Sequence, residues 1–241
     1  MQENVWRICS PRLDRELRIL FFSDLHGAPC PRGIEMIREL RPDFAVFTGD
    51  TLQQTVKSGE ATFAFMEEAA ALCPLFFSPG NHENYVEDFP ARRLSEAGVT
   101  ILDNAETEIC GLRIGGLGSF YYREETEASA RAFAKDFSRE DGKFRLLLCH
   151  HPEYYPAFLR DLPIDLILSG HAHGGLIRLF GQGLVAPGQG NFLGKWGLFP
   201  KYTGGLYDGR LLISRGMSNR TYLPRVNNPT EIIILELGPQ K

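Results

Sequence analysis

The sequence predicts an α/β protein with largely parallel strand pairing, and three observations carry that prediction. Short runs of branched and aromatic residues recur along the 241-residue chain, helix-patterned stretches lie between them, and the runs end in histidine, aspartate or asparagine. Strand, helix, strand alternation builds a parallel sheet, because parallel neighbours need a crossover between them.

The elements follow in order. Leu17 to Phe22, Phe44 to Thr48, Leu75 to Ser78, Arg145 to Cys149 and Asp165 to Ser169 are short and continuously apolar, the pattern of strands buried on both faces. Gly33 to Leu40, Glu60 to Leu72, Phe89 to Ala97, Glu125 to Phe137 and Pro152 to Leu159 repeat apolar residues at three- and four-residue spacing, so helices are expected there. After His173 the character changes to a glycine-rich, aromatic stretch, Leu184 to Tyr207. Two further strand-like runs, Leu211 to Ser214 and Ile232 to Leu237, are expected as antiparallel additions completing a second sheet. No repeat, low-complexity tract or linker divides the chain, so one domain over 1–241 is expected.

Composition narrows the function. Apolar residues make up 43% and charged residues 23%, as in an ordinary globular protein, and the net charge of -4 argues against nucleic acid as a partner. The five cysteines are scattered and never spaced C-x-x-C, so neither a disulfide framework nor a thiolate zinc site is indicated, and a reducing cytoplasm fits. No stretch of the chain has the length and apolarity of a signal peptide or spanning helix. Peripheral contact with the inner membrane surface stays compatible with that.

The chemistry lies where the strands end. The endings read FFSDLH, VFTGD, FFSPGNHE, LLLCHHP and LILSGHAH, and all six histidines fall in them. Open α/β sheets place ligand sites beyond the carboxyl ends of their strands. Asp24 and His26 are two residues apart, as are His171 and His173, and an extended backbone turns such pairs to one side. By the same alternation His150 and His151 cannot both face one centre, and Cys149 reads as a small buried apolar residue.

Imidazole, carboxylate and one amide without sulfur suit manganese, iron or zinc. Seven likely ligands at these strand ends exceed what one ion takes and suit two divalent ions sharing a group, Asp50 after its glycine being the natural bridge. Two carboxylates against two divalent ions leave about two positive charges, enough for an acidic protein to attract phosphate. Such a pair, roughly 3.5–4 Å apart, deprotonates a bridging water and clamps an in-line displacement. His82 is left over as proton donor to the leaving group, making His82 and Asp50 the candidate catalytic residues.

The ordered motifs Asp24-Leu25-His26, Gly49-Asp50, Gly80-Asn81-His82-Glu83, His150 and Gly170-His171-Ala172-His173 resemble those of the calcineurin-like metallophosphoesterase superfamily. The resemblance implies a four-layer α/β/β/α sandwich, with Asp24, His26, Asp50 and His173 around one ion and Asp50, Asn81, His150 and His171 around the other. It places the leaving-group or phosphate-contacting histidine at His82. The segments HAHGGLIRLFG and SRGMSNR are similar to a bacterial branch of small phosphodiesterases and UDP-diacylglucosamine pyrophosphatases. Pro79 stands before G-N-H-E and the loop reads GDTLQQT, unlike the Ser/Thr protein phosphatases. Gln53 stands where many relatives carry an acid, which leaves the partner of His82 unassigned.

The expected activity is hydrolysis of a small phosphate ester, nucleotide or lipid-linked in class, a phosphodiester before a phosphomonoester, without an obligate protein partner. A scaffold that keeps the fold without catalysis is the alternative, and the complete ligand set with His82 speaks against it. No H-E-x-x-H occurs, so a zinc protease is not indicated. Arg215 and Asn219, with Arg225, are candidates for gripping phosphate. Glu83 either orients a histidine or caps a turn. The stretch Asn191 to Tyr202 walls the pocket for an apolar leaving group or covers a sheet edge.

Overall fold

The computed structural model describes residues 1–120, 124–186, 189, 199–221 and 223–240. In chain order the strands of the first half are β1 (Gln2–Ser10), β2 (Leu17–Phe22), β3 (Phe44–Phe47), β4 (Leu75–Phe77), β5 (Val99–Ile101), β6 (Ala105–Ile109) and β7 (Leu112–Leu117). Those of the second half are β8 (Arg145–Cys149), β9 (Leu166–Ser169), β10 (Arg178–Leu179), β11 (Gln182–Gly183), β12 (Gly205–Tyr207), β13 (Leu211–Ile213) and β14 (Glu231–Pro239). The α-helices are α1 (Pro31–Leu40), α2 (Glu60–Leu72), α3 (Ala91–Glu96) and α4 (Glu127–Phe137), and a π-helical turn covers Tyr155–Leu159.

Two six-stranded mixed sheets stack face to face, one in the order β1-β14-β2-β3-β4-β5 and the other β12-β13-β9-β8-β7-β6. Side-chain alternation sets the layers. On β2, Ile19 and Phe21 point between the sheets, where they meet Ile114, Leu146 and Leu168, while Leu20 and Phe22 point outward onto Ile34, Ile37 and Phe63 of the first helices. On β8 and β9 the division repeats, with Leu147 and Ile167 outward against Ala130, Ala134 and Phe137 of α4. The result is helix, sheet, sheet, helix, and each central strand is buried on both faces as its continuous apolar run requires. Proline at its first turn starts α1. No helix among the described residues is long and apolar enough to cross a membrane.

Two expectations are corrected. The run at Leu211–Ile213 joins the second sheet, but parallel to β9, with β12 antiparallel to it on the other side. The long excursion after β9 gives the chain room to return to the same end of the sheet, which a parallel pair needs. The run Ile232 to Leu237 belongs to the first sheet, antiparallel to β2 and parallel to β1. Its alternation sends Ile233, Leu235 and Leu237 between the sheets and Ile232 and Ile234 to the helix side, which fits an internal strand of either sheet. The partner that selects the first sheet is β1, whose run from Gln2 to Ser10 is half exposed and polar in alternation.

Candidate metal centre

The carboxyl ends of β2, β3, β4, β8 and β9 meet at one edge of the sandwich, and the seven candidate ligands gather there. Asp24, His26, Asp50 and His173 present ligand atoms within 4.8 Å of one another, as do Asp50, His150 and His171. Asp50 belongs to both groups. Its Oδ2 lies 3.2 Å from His150 Nε2, 3.7 Å from His26 Nε2 and 3.9 Å from His82 Nε2. His173 Nε2 stands 3.2 Å from His26 Nε2 and 3.7 Å from Asp24 Oδ1. All seven ligand candidates are buried.

The backbone reason differs from strand alternation. Asp24, His26, Asp50, His171 and His173 all have positive φ, from 47 to 64°, so these pairs turn in the left-handed region rather than running extended. Non-glycine residues adopt it rarely, and clusters of them mark functional sites. Loop-to-loop bonds hold the conformation: Asp24 N–H donates to Gly49 O, His26 N–H to Asp50 O, and His171 N–H to Asp24 Oδ1 at 3.1 Å. Glycine is required where loops touch. A Cβ on Gly80 would lie 2.4 Å from Asp50 Oδ1, and one on Gly49, whose φ is +85°, would lie 2.3 Å from Gly80 N.

Glu83 ties the Asp50 loop to the Asn81 loop, a role outside both expectations for it. Oε2 accepts from Asp50 N–H at 2.9 Å and Gly80 N–H at 2.6 Å, and Oε1 accepts from Thr51 N–H at 2.7 Å and the Thr51 hydroxyl at 2.6 Å. Main-chain carbonyls orient the rings: Leu52 O faces His26 Nδ1, Thr48 O faces His150 Nδ1, and Gln53 O faces His82 Nδ1. The partner of His82 is therefore the backbone of Gln53, not its side chain. His82 Nε2 is left facing the centre, with the ring edge-on to His26 at 4.6 Å.

Burial and charge set the ionisation of the ion-free cluster. Burial pushes Asp24 up to about 6, against the opposing pull of His150. Burial would raise Asp50 too, but His150 and then His82 hold it well below the usual carboxylate range. Burial would lower His150, yet the Asp50 carboxylate brings it up to about 10. Burial dominates at His26, lowered to about 4, and His171, lowered to about 3. Neutral imidazole is the metal-binding form.

The residues fit divalent ions. The carboxylate and imidazole atoms converge from four strand ends, and from a fifth comes Asn81 Oδ1, buried without a hydrogen-bond partner, an acceptor that a cation would satisfy. The donor set of nitrogen and oxygen without sulfur belongs to borderline and hard first-row ions.

Outside this cluster lie the residues expected to grip phosphate. The Arg215 guanidinium is taken by Glu231 Oε2 and Gln2 Oε1, both at 2.8 Å, and lines a separate cavity of about 340 Å³ beside Trp6 and Arg178. Asn219 is exposed next to Arg220, which reaches the rim and donates to His26 O at 3.2 Å. Arg225 donates to His173 O at 3.1 Å and approaches His173 Nδ1 at 3.2 Å. Cys149 packs into the outer core of the second sheet. His151 lies beside the centre, its ring 4.5 Å from that of His171. Of the stretch Asn191 to Tyr202, residues 191–198 fall outside the described residues, and Tyr202 is buried against Tyr155 and Tyr207.

Comparison with known proteins gives consistent matches. A family model described as calcineurin-like phosphoesterase matches residues 17–175. A metallophosphoesterase of Aquifex aeolicus is 30% identical over 190 residues, covering 70% of this chain and 68% of that protein. Phosphodiesterase YaeI of Escherichia coli is 28% identical over 177 residues, covering 67% and 62%. A metallophosphoesterase of Helicobacter pylori is 26% identical over 178 residues, and this chain spans 47% of its length.

Proposed function

The chain belongs to the calcineurin-like phosphoesterase family, and on that premise we propose that it hydrolyses phosphodiesters at a pair of divalent ions held by Asp24, His26, Asp50 and His173 on one side and by Asp50, Asn81, His150 and His171 on the other. The observation that carries the reading is the placement of Asp50 Oδ2 between His26 and His150, 3.7 and 3.2 Å away, with both ligand groups meeting at this one carboxylate. Manganese, iron or zinc fit the donors. Bound there, such ions supply Lewis acidity toward the phosphoryl oxygens and acidify coordinated water.

The remaining work falls to the chain. The ligand loops are fixed before any substrate arrives, since Glu83, Gly49 and Gly80 lock Asp50 against Asn81, and preorganised charge is what stabilises a transition state cheaply. His82 donates Nδ1–H to the Gln53 carbonyl, which turns Nε2 toward the centre; as imidazolium it can pass the Nε2 proton to the departing oxygen. Half-exposed at the opening, it can reach a substrate that the buried ligands cannot. Phosphate contacts at the rim come from Arg220 and Asn219 rather than Arg215, which Glu231 occupies. Preference for a diester rests on the likeness to a phosphodiesterase of Escherichia coli.

The test is to strip the protein with a chelator, then assay bis-p-nitrophenyl phosphate and p-nitrophenyl phosphate while restoring Mn, Fe, Zn or Mg. Metal-dependent turnover that is faster on the bis-ester is expected. Faster turnover of the monoester would reverse the substrate assignment, and no hydrolysis with any ion would leave the fold as a binding scaffold.

A further inference from the structure

His171 has a second neighbourhood that the two ligand groups do not use. Its Nε2 faces Glu153 Oε1 at 3.6 Å, and the same oxygen stands 3.2 Å from His151 Nδ1. His151 Nε2 meets the Ser119 hydroxyl at 2.6 Å, and the His151 ring is packed against Tyr154, centroids 4.7 Å apart. His151 and Ser119 are buried, and Glu153 Oε2 is shielded from water without a hydrogen-bond partner. A carboxylate that keeps one oxygen out of water among imidazoles is expensive unless positive charge lies close by.

An imidazole that binds a metal through one nitrogen presents the other outward as N–H, and the group accepting that proton sets the ring's orientation and its strength as a ligand. For His26 and His150 the acceptors are main-chain carbonyls, Leu52 O and Thr48 O. For His171 the facing group is a carboxylate. It polarises the ring more than a carbonyl does, and it adds negative charge near a cation without occupying a coordination position.

We propose that Glu153 is a positioning residue. It holds His171 with Nε2–H toward Oε1 and Nδ1 toward the Asp50 group, and so raises the affinity of the position shared by Asp50, His150 and His171. The position formed by Asp24, His26, Asp50 and His173 does not depend on it. The inference rests on reading these histidines as metal ligands. A third cation bound by His151, Glu153 and His171 is the competing use of the same atoms. Both nitrogens of His151 already sit within hydrogen-bond reach of Ser119 and Glu153, which favours the positioning role.

The experiment titrates chelator-stripped wild type, Glu153→Gln and Glu153→Leu with Mn(II) in a calorimeter, and counts bound ions by mass spectrometry after desalting. Urea unfolding of each ion-free protein checks the fold. Wild type should take two ions, and Glu153→Gln should keep one affinity within twofold while the other falls about 10–100-fold. Glu153→Leu should weaken that same ion further without lowering ion-free stability. Two unchanged affinities in both variants would overturn the proposal, as would a wild-type content of three ions that drops to two in Glu153→Gln. A wild type that takes fewer than two ions at saturation would instead sink the ligand assignment itself, before any variant is compared.

Discussion

Replacing Glu83 with glutamine removes one negative charge that serves four donors from two loops: the N–H groups of Asp50, Thr51 and Gly80 and the Thr51 hydroxyl. The site is 5% exposed, so water cannot substitute. A carboxamide offers one oxygen and one NH₂. With the oxygen toward Asp50 and Gly80, the NH₂ confronts the Thr51 N–H, and the Thr51 hydroxyl must turn to accept. One buried donor is then left facing a donor, at about 1–3 kcal/mol, and the remaining bonds lose their charge-assisted strength. The total comes to about 3 kcal/mol, a large share of the roughly 5–15 kcal/mol of a typical domain. For a chain of this length that is a fall in Tm of about 6–12 °C. The assay is urea and thermal unfolding of the chelated protein, paired with an ion titration, because displacing Asp50 weakens both metal positions together. A Glu83→Gln variant that unfolds within about 0.5 kcal/mol of wild type and binds ions normally would refute the reading of Glu83 as the tie between these loops.

Substituting His82 with alanine should lower turnover about 10²–10⁴-fold at unchanged ion content, and steady-state rates within twofold of wild type would remove its proton-donor role. Asp50→Asn should weaken both ions at once, and a variant that loses one ion while keeping the other at full affinity would contradict a shared ligand. Acid should destabilise the ion-free protein. His26, with its folded pKa lowered to about 4, and His171, lowered to about 3, stay neutral in the fold but take up protons when unfolded below about 6.5. They leave stability untouched above that value and erode it as pH falls toward 4, each tenfold loss of proton affinity on folding being worth about 1.4 kcal/mol. Asp24, raised to about 6, opposes this in part between its unfolded value of 3.8 and 6, where the folded state binds the proton. The Tm of chelated protein should therefore be lower at pH 5 than at pH 7, and a flat or rising profile on acidification would show the histidines to be solvated.

The strands that carry the site were legible because burial on both faces leaves few polar positions in the run: Leu17–Phe22, Phe44–Phe47 and Arg145–Cys149 are apolar but for Arg18 and Arg145 near their starts. Strands with weaker signatures were not. β1 alternates exposed and half-buried residues, and β7 reads LRIGGL, where Gly115 and Gly116 are small because the Phe137 ring and Leu102 press against them. The choice of sheet for β14 depended on β1, so it was hidden with it. At the centre, residue identities were legible and their supports were not. Thr48, Leu52 and Gln53 orient histidines through main-chain carbonyls, and a carbonyl belongs to every residue alike. Glu153 left only a faint trace, an acid two places beyond His151 with nothing in the sequence to turn it toward His171.

The left-handed backbone at Asp24, His26, Asp50, His171 and His173 explains why so many supports are needed. On an extended strand, residues two apart have Cα atoms about 6.6 Å from one another, a span that separates donors meant for one ion. The turned backbone brings Asp24 Oδ1 to 3.9 Å from His26 Nε2. Each such residue adds strain of order 1–3 kcal/mol, so the loops hold only if their neighbours over-determine them. That is what the cross-loop bonds do: Ser23, Gly49, Asp50 and Thr51 carbonyls accept from Met217, Asp24, His26 and Gly27, and the Asp24 and Glu83 carboxylates accept from the His171 and Asp50 N–H groups. Every one of these bonds joins segments far apart in the chain. The donors therefore reach their places only when both sheets have closed, and the capacity to bind ions is a property of the completed sandwich rather than of any one motif.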